Sequence, residues 1–229
     1  KYPLVVYVYP GPQEDQVPQA FSMDDNGNQA LAQLGLIVIH IGYRGGSMFR
    51  GKNFYNFGYG NLRDYPLADC KFAIEQLADR YAYIDRDRVG IYGHSGGGMM
   101  AAAAILTYPD FFKVAVAASG NYDNNIYTKW WGEMYHGVKM KVKKDADGIK
   151  KYIFESKIPT IMELAANLKG KLLLVTGDMD INVHPANTFR LANALIKADK
   201  LFDMMVIPGA DHSIDSPYYF NLLRHYFAE

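Results

Sequence analysis

Gly93-His94-Ser95-Gly96-Gly97 sets a serine between glycines in the pattern G-x-S-x-G. The apolar run Val89–Tyr92 precedes it and Gly97-Gly-Met-Met-Ala-Ala-Ala-Ala-Ile-Leu106 follows, so the motif reads as strand, sharp turn, helix. Such a turn is strained, and flanking glycines keep Cβ atoms out of crowded space. The hydroxyl then stands at a helix N-terminus, where free backbone N–H groups stabilise a developing anion. The chemistry this suits is nucleophilic attack on a carbonyl carbon; the competing reading is a glycine-rich turn with no chemistry.

A serine nucleophile needs a base, and the base needs a carboxylate to orient it. Two further strand-like runs end in loops that carry such groups. Leu172–Thr176 is followed by Gly177-Asp-Met-Asp-Ile-Asn-Val-His184, and Met204–Ile207 by Pro208-Gly-Ala-Asp-His212. The chain order serine, aspartate, histidine is the one that accompanies this elbow motif. His212 is the candidate base. Asp178 and Asp180 both stand where the carboxylate should be, and spacing alone separates them weakly. His184 opens a helix and comes too early, His40 follows an early strand, and His225 lies in the last helix. His94, beside the serine, is expected to point elsewhere.

The oxyanion produced by attack needs two donors. The Gly96 N–H is the first. The second should come from the loop after Leu4–Tyr9, which reads Tyr9-Pro10-Gly11-Pro12. Its two prolines carry no N–H, so the Tyr9 hydroxyl is the nearest substitute; a strand-end tyrosine without that role is the equal alternative. No metal or organic cofactor is expected. Asp178-x-Asp180-x-Asn182 resembles the start of a calcium loop, but Val183 and Phe189 stand where glycine and glutamate are required. The six histidines show no zinc spacing.

These residues need a frame that brings strand ends together. Six apolar runs read as strands: Leu4–Tyr9, Leu36–Ile41, Val89–Tyr92, Val114–Ala118, Leu172–Thr176 and Met204–Ile207. Helical periodicity occupies Gln29–Leu34, Leu67–Arg80, Gly97–Thr107, Ile161–Leu168, Ala186–Ala198 and Tyr218–Tyr226. Alternation of the two predicts an α/β fold with a mainly parallel sheet, covered by helices on both faces. The longest connection, Ser119–Pro159, has an aromatic first part, Gly120–Gly137, and a basic second part, Lys139–Lys151. The basic part reads as a solvated surface loop rather than a partner site.

The 229 residues suit one domain, and 49% hydrophobic with 21% charged residues is ordinary for a folded one. Lys plus Arg and Asp plus Glu both number 24, so no net charge favours nucleic acid or an anionic membrane. No apolar run reaches membrane-spanning length. Cys70 is the only cysteine, which excludes an intrachain disulfide and reads as a small buried apolar residue. The chain opens inside a strand-like run, so it is expected to be a piece of a longer polypeptide.

Taken with these features, the sequence resembles the catalytic α/β-hydrolase domain of the prolyl oligopeptidase family, in its dipeptidyl peptidase IV branch. The resemblance runs over nearly the whole chain. It rests on Lys1-Tyr-Pro-Leu-Val-Val-Tyr-Val-Tyr-Pro-Gly-Pro12, Tyr43-Arg-Gly-Gly46, Asp85-Arg-Asp-Arg-Val-Gly-Ile-Tyr-Gly-His-Ser95, Gly177-Asp-Met-Asp-Ile-Asn-Val-His184 and Asp211-His212. It implies Ser95, Asp180 and His212 as the triad, with Asp180 preferred to Asp178, and Tyr9 beside Gly96 in the oxyanion hole. It implies a substrate pocket bordered by Asn182 and Val183, with Tyr127 and Trp131 as its aromatic walls. The implied activity is release of amino-terminal dipeptides from peptides after Pro or Ala. Other implications are a β-propeller elsewhere in the full-length protein, a homodimer, and a periplasmic or extracellular location. The departures are Gly96, where the branch usually has an aromatic residue, and the lack of the first two strands of an eight-stranded hydrolase sheet. Gly96 keeps open an aminoacyl peptidase, an oligopeptidase or a carboxylesterase. A non-catalytic binding module with a relic site is the alternative from outside enzymology.

Overall fold

Residues 1–10, 12, 14, 16–22 and 27–228 are described by a computed structural model; Gly11 of the first motif lies outside them. In chain order the elements are β1 (Tyr2–Tyr7), α1 (Asn28–Ala32), β2 (Ile37–His40), α2 (Lys52–Tyr55), α3 (Leu67–Arg80), β3 (Ile84–His94) and α4 (Gly96–Thr107). Then come β4 (Phe112–Ala118), α5 (Lys129–Tyr135), β5 (Lys139–Lys144), β6 (Lys150–Glu155), β7 (Lys171–Gly177), α6 (Ala186–Lys197), β8 (Asp203–Ile207) and α7 (Pro217–Ala228). Six of the strands form one sheet in the order β2-β1-β3-β4-β7-β8, and every neighbouring pair is parallel.

Side chains that alternate along these strands feed two cores. Leu4, Val6, Ile91, Ala115, Ala117, Leu172 and Leu174 face one side, under α3, α4 and α6. Val5, Tyr92, Val116, Leu173 and Val175 face the other, under α1 and α7. Burial on both faces is why the strands read as continuous apolar runs rather than alternating ones. α4 is buried along Gly97–Leu106, with small residues facing the sheet. At Gly97 a Cβ would stand 2.1 Å from the Val8 carbonyl oxygen, so only glycine lets α4 approach β1 this closely.

The topology places a crevice. From β1 the chain steps outward to β2, returns to β3 on the other side, and then runs outward through β4, β7 and β8. At such a reversal of strand order the loops after neighbouring strands part, and a ligand site opens at the carboxyl ends. The loops after β1 and β3 are those carrying Tyr9 and Ser95.

Two segments differ from the sequence expectation. Ile161–Leu168 is not an α-helix; Ile161–Asn167 forms 3-10 turns, as suits a stretch too short for a stable α-helix nucleus. The basic segment is not a loop but an antiparallel hairpin of β5 and β6, paired from Lys139↔Glu155 to Lys144↔Lys150. Its turn is closed by Asp145, whose Oδ1 accepts N–H bonds from Asp147 and Ile149 at 3.1 and 2.8 Å. The period-two alternation of Lys139-Met-Lys-Val-Lys143 is the strand signal behind it. Among the described residues no helix is long and apolar enough to cross a membrane.

Candidate active site

Ser95 sits between β3 and α4 with φ 57° and ψ −121°. A non-glycine residue in such a region is strained by about 1–3 kcal/mol and persists only where neighbours fix it. Here its N–H donates to the Ala118 carbonyl at 2.8 Å, and its carbonyl accepts the Met99 N–H at 3.0 Å. The elbow is thus clamped between β4 and the first turn of α4.

The loops after β7 and β8 bring the other two groups to the serine. His212 Nε2 lies 2.9 Å from Ser95 Oγ, and His212 Nδ1 lies 2.8 Å from Asp180 Oδ2. With the carboxylate accepting at Nδ1, the ring proton stays there and Nε2 is free to accept from the serine hydroxyl. Asp180 is 2% exposed. Its second oxygen accepts the backbone N–H groups of Asn182 and Val183 at 2.9 and 2.8 Å, which fixes the carboxylate plane. Asp178 does other work, accepting the Gly209 N–H at 2.6 Å and so tying the β7 loop to the β8 loop. His184 caps α6 by accepting the Ala186 N–H at 3.1 Å. Both carboxylates of the calcium-like run are engaged by protein partners, Asp178 by Gly209 and Asp180 by His212, Asn182 and Val183, and among the described residues no cluster of three metal-ligating side chains occurs.

The Tyr9 side chain lines the same cleft as Ser95, and burial, then Glu14 and Tyr127, push its pKa above the usual value. It therefore remains a protonated donor. The backbone beneath it is held by two other tyrosines: Tyr43 donates to the Tyr9 carbonyl at 2.5 Å and Tyr65 to the Pro10 carbonyl at 3.2 Å. Gly96 is the first residue of α4, where a backbone N–H has no intrahelical acceptor.

A cleft of about 320 Å³ opens over these groups, bounded by Tyr9, Ser95, Gly96, His212, Tyr127 and Trp131 among others. Tyr127 donates to Asn182 Oδ1 at 2.8 Å. Trp131 makes edge contacts with Tyr127 and Tyr135, ring centroids 5.5 and 5.3 Å apart. These aromatics recur on α5 and the turn before it. Asp123 anchors the segment leading to them: its carboxylate accepts from Arg190 at 2.7 Å, and its N–H donates to Asn187 Oδ1 at 3.0 Å. Val183 is buried at 2% exposure and reaches the site through its N–H to Asp180 rather than through its side chain.

Sequence reasoning missed several lining residues. Asn121 and Glu14 border the cleft without any motif to mark them. Tyr135 could have been found from its four-residue spacing after Trp131. His94 is the clearest departure: it does not point away but lies against His212, ring centroids 4.8 Å apart.

Comparison with known proteins finds relatives along nearly the whole chain. A profile described as the prolyl oligopeptidase family matches residues 21–226. The chain is 32% identical to human dipeptidyl peptidase 8 over all of its length, covering 25% of that protein. It is 30% identical to mouse prolyl endopeptidase FAP over 94% of the chain and 27% of that protein. The crystal structure of Porphyromonas gingivalis dipeptidyl peptidase 4 superposes with a TM-score of 0.84 at 27% identity, over 99% of this chain and 31% of that one. The chain thus spans about a quarter of the length of the curated relatives it matches.

Proposed function

The chain belongs to the prolyl oligopeptidase family, in its dipeptidyl peptidase IV branch, and on that premise we propose that its protein is a serine peptidase that releases dipeptides from peptide amino termini after Pro or Ala. The observation that carries the reading is the relay from Ser95 through His212 to Asp180 at 2.9 and 2.8 Å, mounted on a strained elbow. His212 Nε2 takes the hydroxyl proton as Ser95 Oγ forms its bond to the scissile carbonyl carbon. The oxyanion forms between the Gly96 N–H and the Tyr9 hydroxyl. The proton then passes from His212 to the leaving amine, the C–N bond breaks, and an acyl-serine remains. Water, deprotonated by His212, attacks the acyl carbon and restores the serine. Asp180 keeps the imidazole in the required tautomer and stabilises it when charged.

Tyr127, Trp131 and Asn182 form the wall that would receive the acyl residue. Gly96 offers no side chain to close the opposite wall, and this favours a second reading in which the same triad serves an aminoacyl peptidase, oligopeptidase or carboxylesterase. A β-propeller elsewhere in the whole protein, and its dimerisation, belong to the first reading.

The test is hydrolysis of Gly-Pro and Ala-Ala amides by the whole protein, beside Ser95→Ala. Release that depends on Ser95 and on a free amino terminus supports the dipeptidyl reading. Turnover of blocked peptides or simple esters alone selects the second, and no Ser95-dependent turnover removes both.

A further inference from the structure

His94 is the last residue of β3 and shares a strand face with Tyr92, two positions back. Tyr92 belongs to the core beneath α7, so His94 is directed toward that side of the sheet rather than into α4. The loop carrying His212 descends on the same side. Between them the His94 ring meets the His212 ring, centroids 4.8 Å apart and planes tilted by 56°. His94 thus touches the base at its ring.

Behind this pair lies a second cavity of about 650 Å³, bordered by His94, Ser213, Ile214, Asp215, Tyr92 and Tyr219 among others. Ser213, Ile214 and Asp215 are the three residues after the base. Ile214 is buried and holds φ at 46°, a conformation β-branched residues rarely adopt. The segment bearing His212 therefore carries backbone strain and borders open space into which it could relax. His94 is the side chain that separates that space from the substrate cleft, since it lines both.

We propose that His94 is a positioning residue, whose ring backs the His212 imidazole and keeps Nε2 aimed at Ser95 Oγ. The inference rests on the triad reading above. A ring suits the role because it packs against the imidazole, tilted by 56° to it, while Nε2 remains on Ser95 Oγ. Burial, helped by the proximity of His212, pushes the His94 pKa down to about 4. The backing ring is thus uncharged when His212 becomes an imidazolium, and does not oppose it. Loss of the ring frees the base to turn toward the cavity. Misplacement of a catalytic group by about 1 Å can cost on the order of 10²-fold in rate.

The experiment uses the whole protein and the rate constant for fluorophosphonate labelling of Ser95, beside kcat and KM on whichever substrate is turned over. His94→Ala is expected to slow labelling by about 10- to 100-fold and to lower kcat by a similar factor, with KM within about three-fold. His94→Phe restores a flat ring and is expected to recover labelling to within about five-fold of wild type. If the alanine variant does not fold, His94→Gln, which keeps a hydrogen-bonding group but no ring, takes its place with the same expectation. Labelling of the ring-less variant within about two-fold of wild type overturns the proposal, as does a His94→Phe protein as slow as His94→Ala. Wild-type protein that does not label at Ser95 overturns the triad reading itself, and this inference with it.

Discussion

The nucleophile side of the cleft and its substrate wall are built on different terms. Ser95, His212 and Asp180 stand at the ends of β3, β8 and β7, and main-chain bonds position the elbow and the carboxylate: Ser95 N–H to Ala118, and Asn182 and Val183 N–H to Asp180. The wall is made of side chains, Tyr127, Trp131 and Tyr135, on a short helix and the turn before it, within the long excursion between β4 and β7. The ion pair of buried Asp123 with half-exposed Arg190 ties it to α6. A site held by backbone tolerates little change, whereas a wall of rings in edge contact can be re-cut without disturbing the elbow. Chemistry and specificity are accordingly separable here, and substitutions on the two sides should show different kinetic signatures.

The largest effect is expected on the nucleophile side. Asp180→Asn preserves shape but turns the His212 tautomer the wrong way, and kcat should fall by about 10⁴-fold with KM little changed. Tyr9→Phe removes one of the two donors proposed for the oxyanion and should lower kcat by about 10²-fold. Steady-state kinetics on a free-amino dipeptide amide reads both. A Tyr9→Phe enzyme that lost KM instead of kcat would place that tyrosine on the wall side of the comparison.

The same division governs what the sequence made legible. The elbow, the Asp-x-Asp loop and the final histidine follow strands in a fixed order, because backbone geometry restricts which residues can stand there. The six strands were readable as apolar runs since both faces of the sheet are buried. The partner of His94 was not, because strand alternation sets only its side of the sheet, and where the loop after β8 brings His212 against it no local pattern encodes. Tyr43 and Tyr65 support the Tyr9–Pro10 backbone across more than thirty residues of sequence, and nothing near either tyrosine announces that role. Asp178 and Asp180 remained equivalent by spacing until partners were known: one bonds Gly209, the other His212.

On the wall the effects should be smaller and fall on KM. Trp131→Ala deletes two edge contacts, each worth about 0.5–1.5 kcal/mol, and should raise KM by about five- to ten-fold with kcat within about two-fold. Comparing Pro with Ala substrates sharpens this, since a proline-reading wall loses more on Pro. Behind the nucleophile, a pH effect distinguishes the sides again. His94 titrates at about 4 in the folded protein, against an ordinary value of 6.5. Between those values the unfolded chain binds a proton that the folded one does not, so stability falls as pH drops through that window and the fall ends below the lower value. In His94→Phe the decline in Tm from pH 6.5 to 4 should be shallower; an unchanged decline would mean His94 is protonated in the folded state as readily as out of it.

The smallest effect is expected farthest from both sides, on the β5–β6 hairpin. It follows the helix that carries Trp131, yet the side chains of Met140, Val142, Tyr152 and Phe154 are exposed. Its Lys141–Glu155 ion pair at 2.8 Å joins two half-exposed groups. Exposed pairs of that kind contribute little and are screened by salt. Lys141→Ala should leave kcat and KM within about two-fold and Tm almost unchanged, with any small loss vanishing in 1 M salt. Activity that followed Lys141 would mean the wall does not end at α5, and that the hairpin is coupled to Trp131 through Gly137 and Val138. Activity indifferent to it would confine the specificity surface to the aromatic cluster, which is what separate anchoring of that cluster by Asp123 and Arg190 predicts.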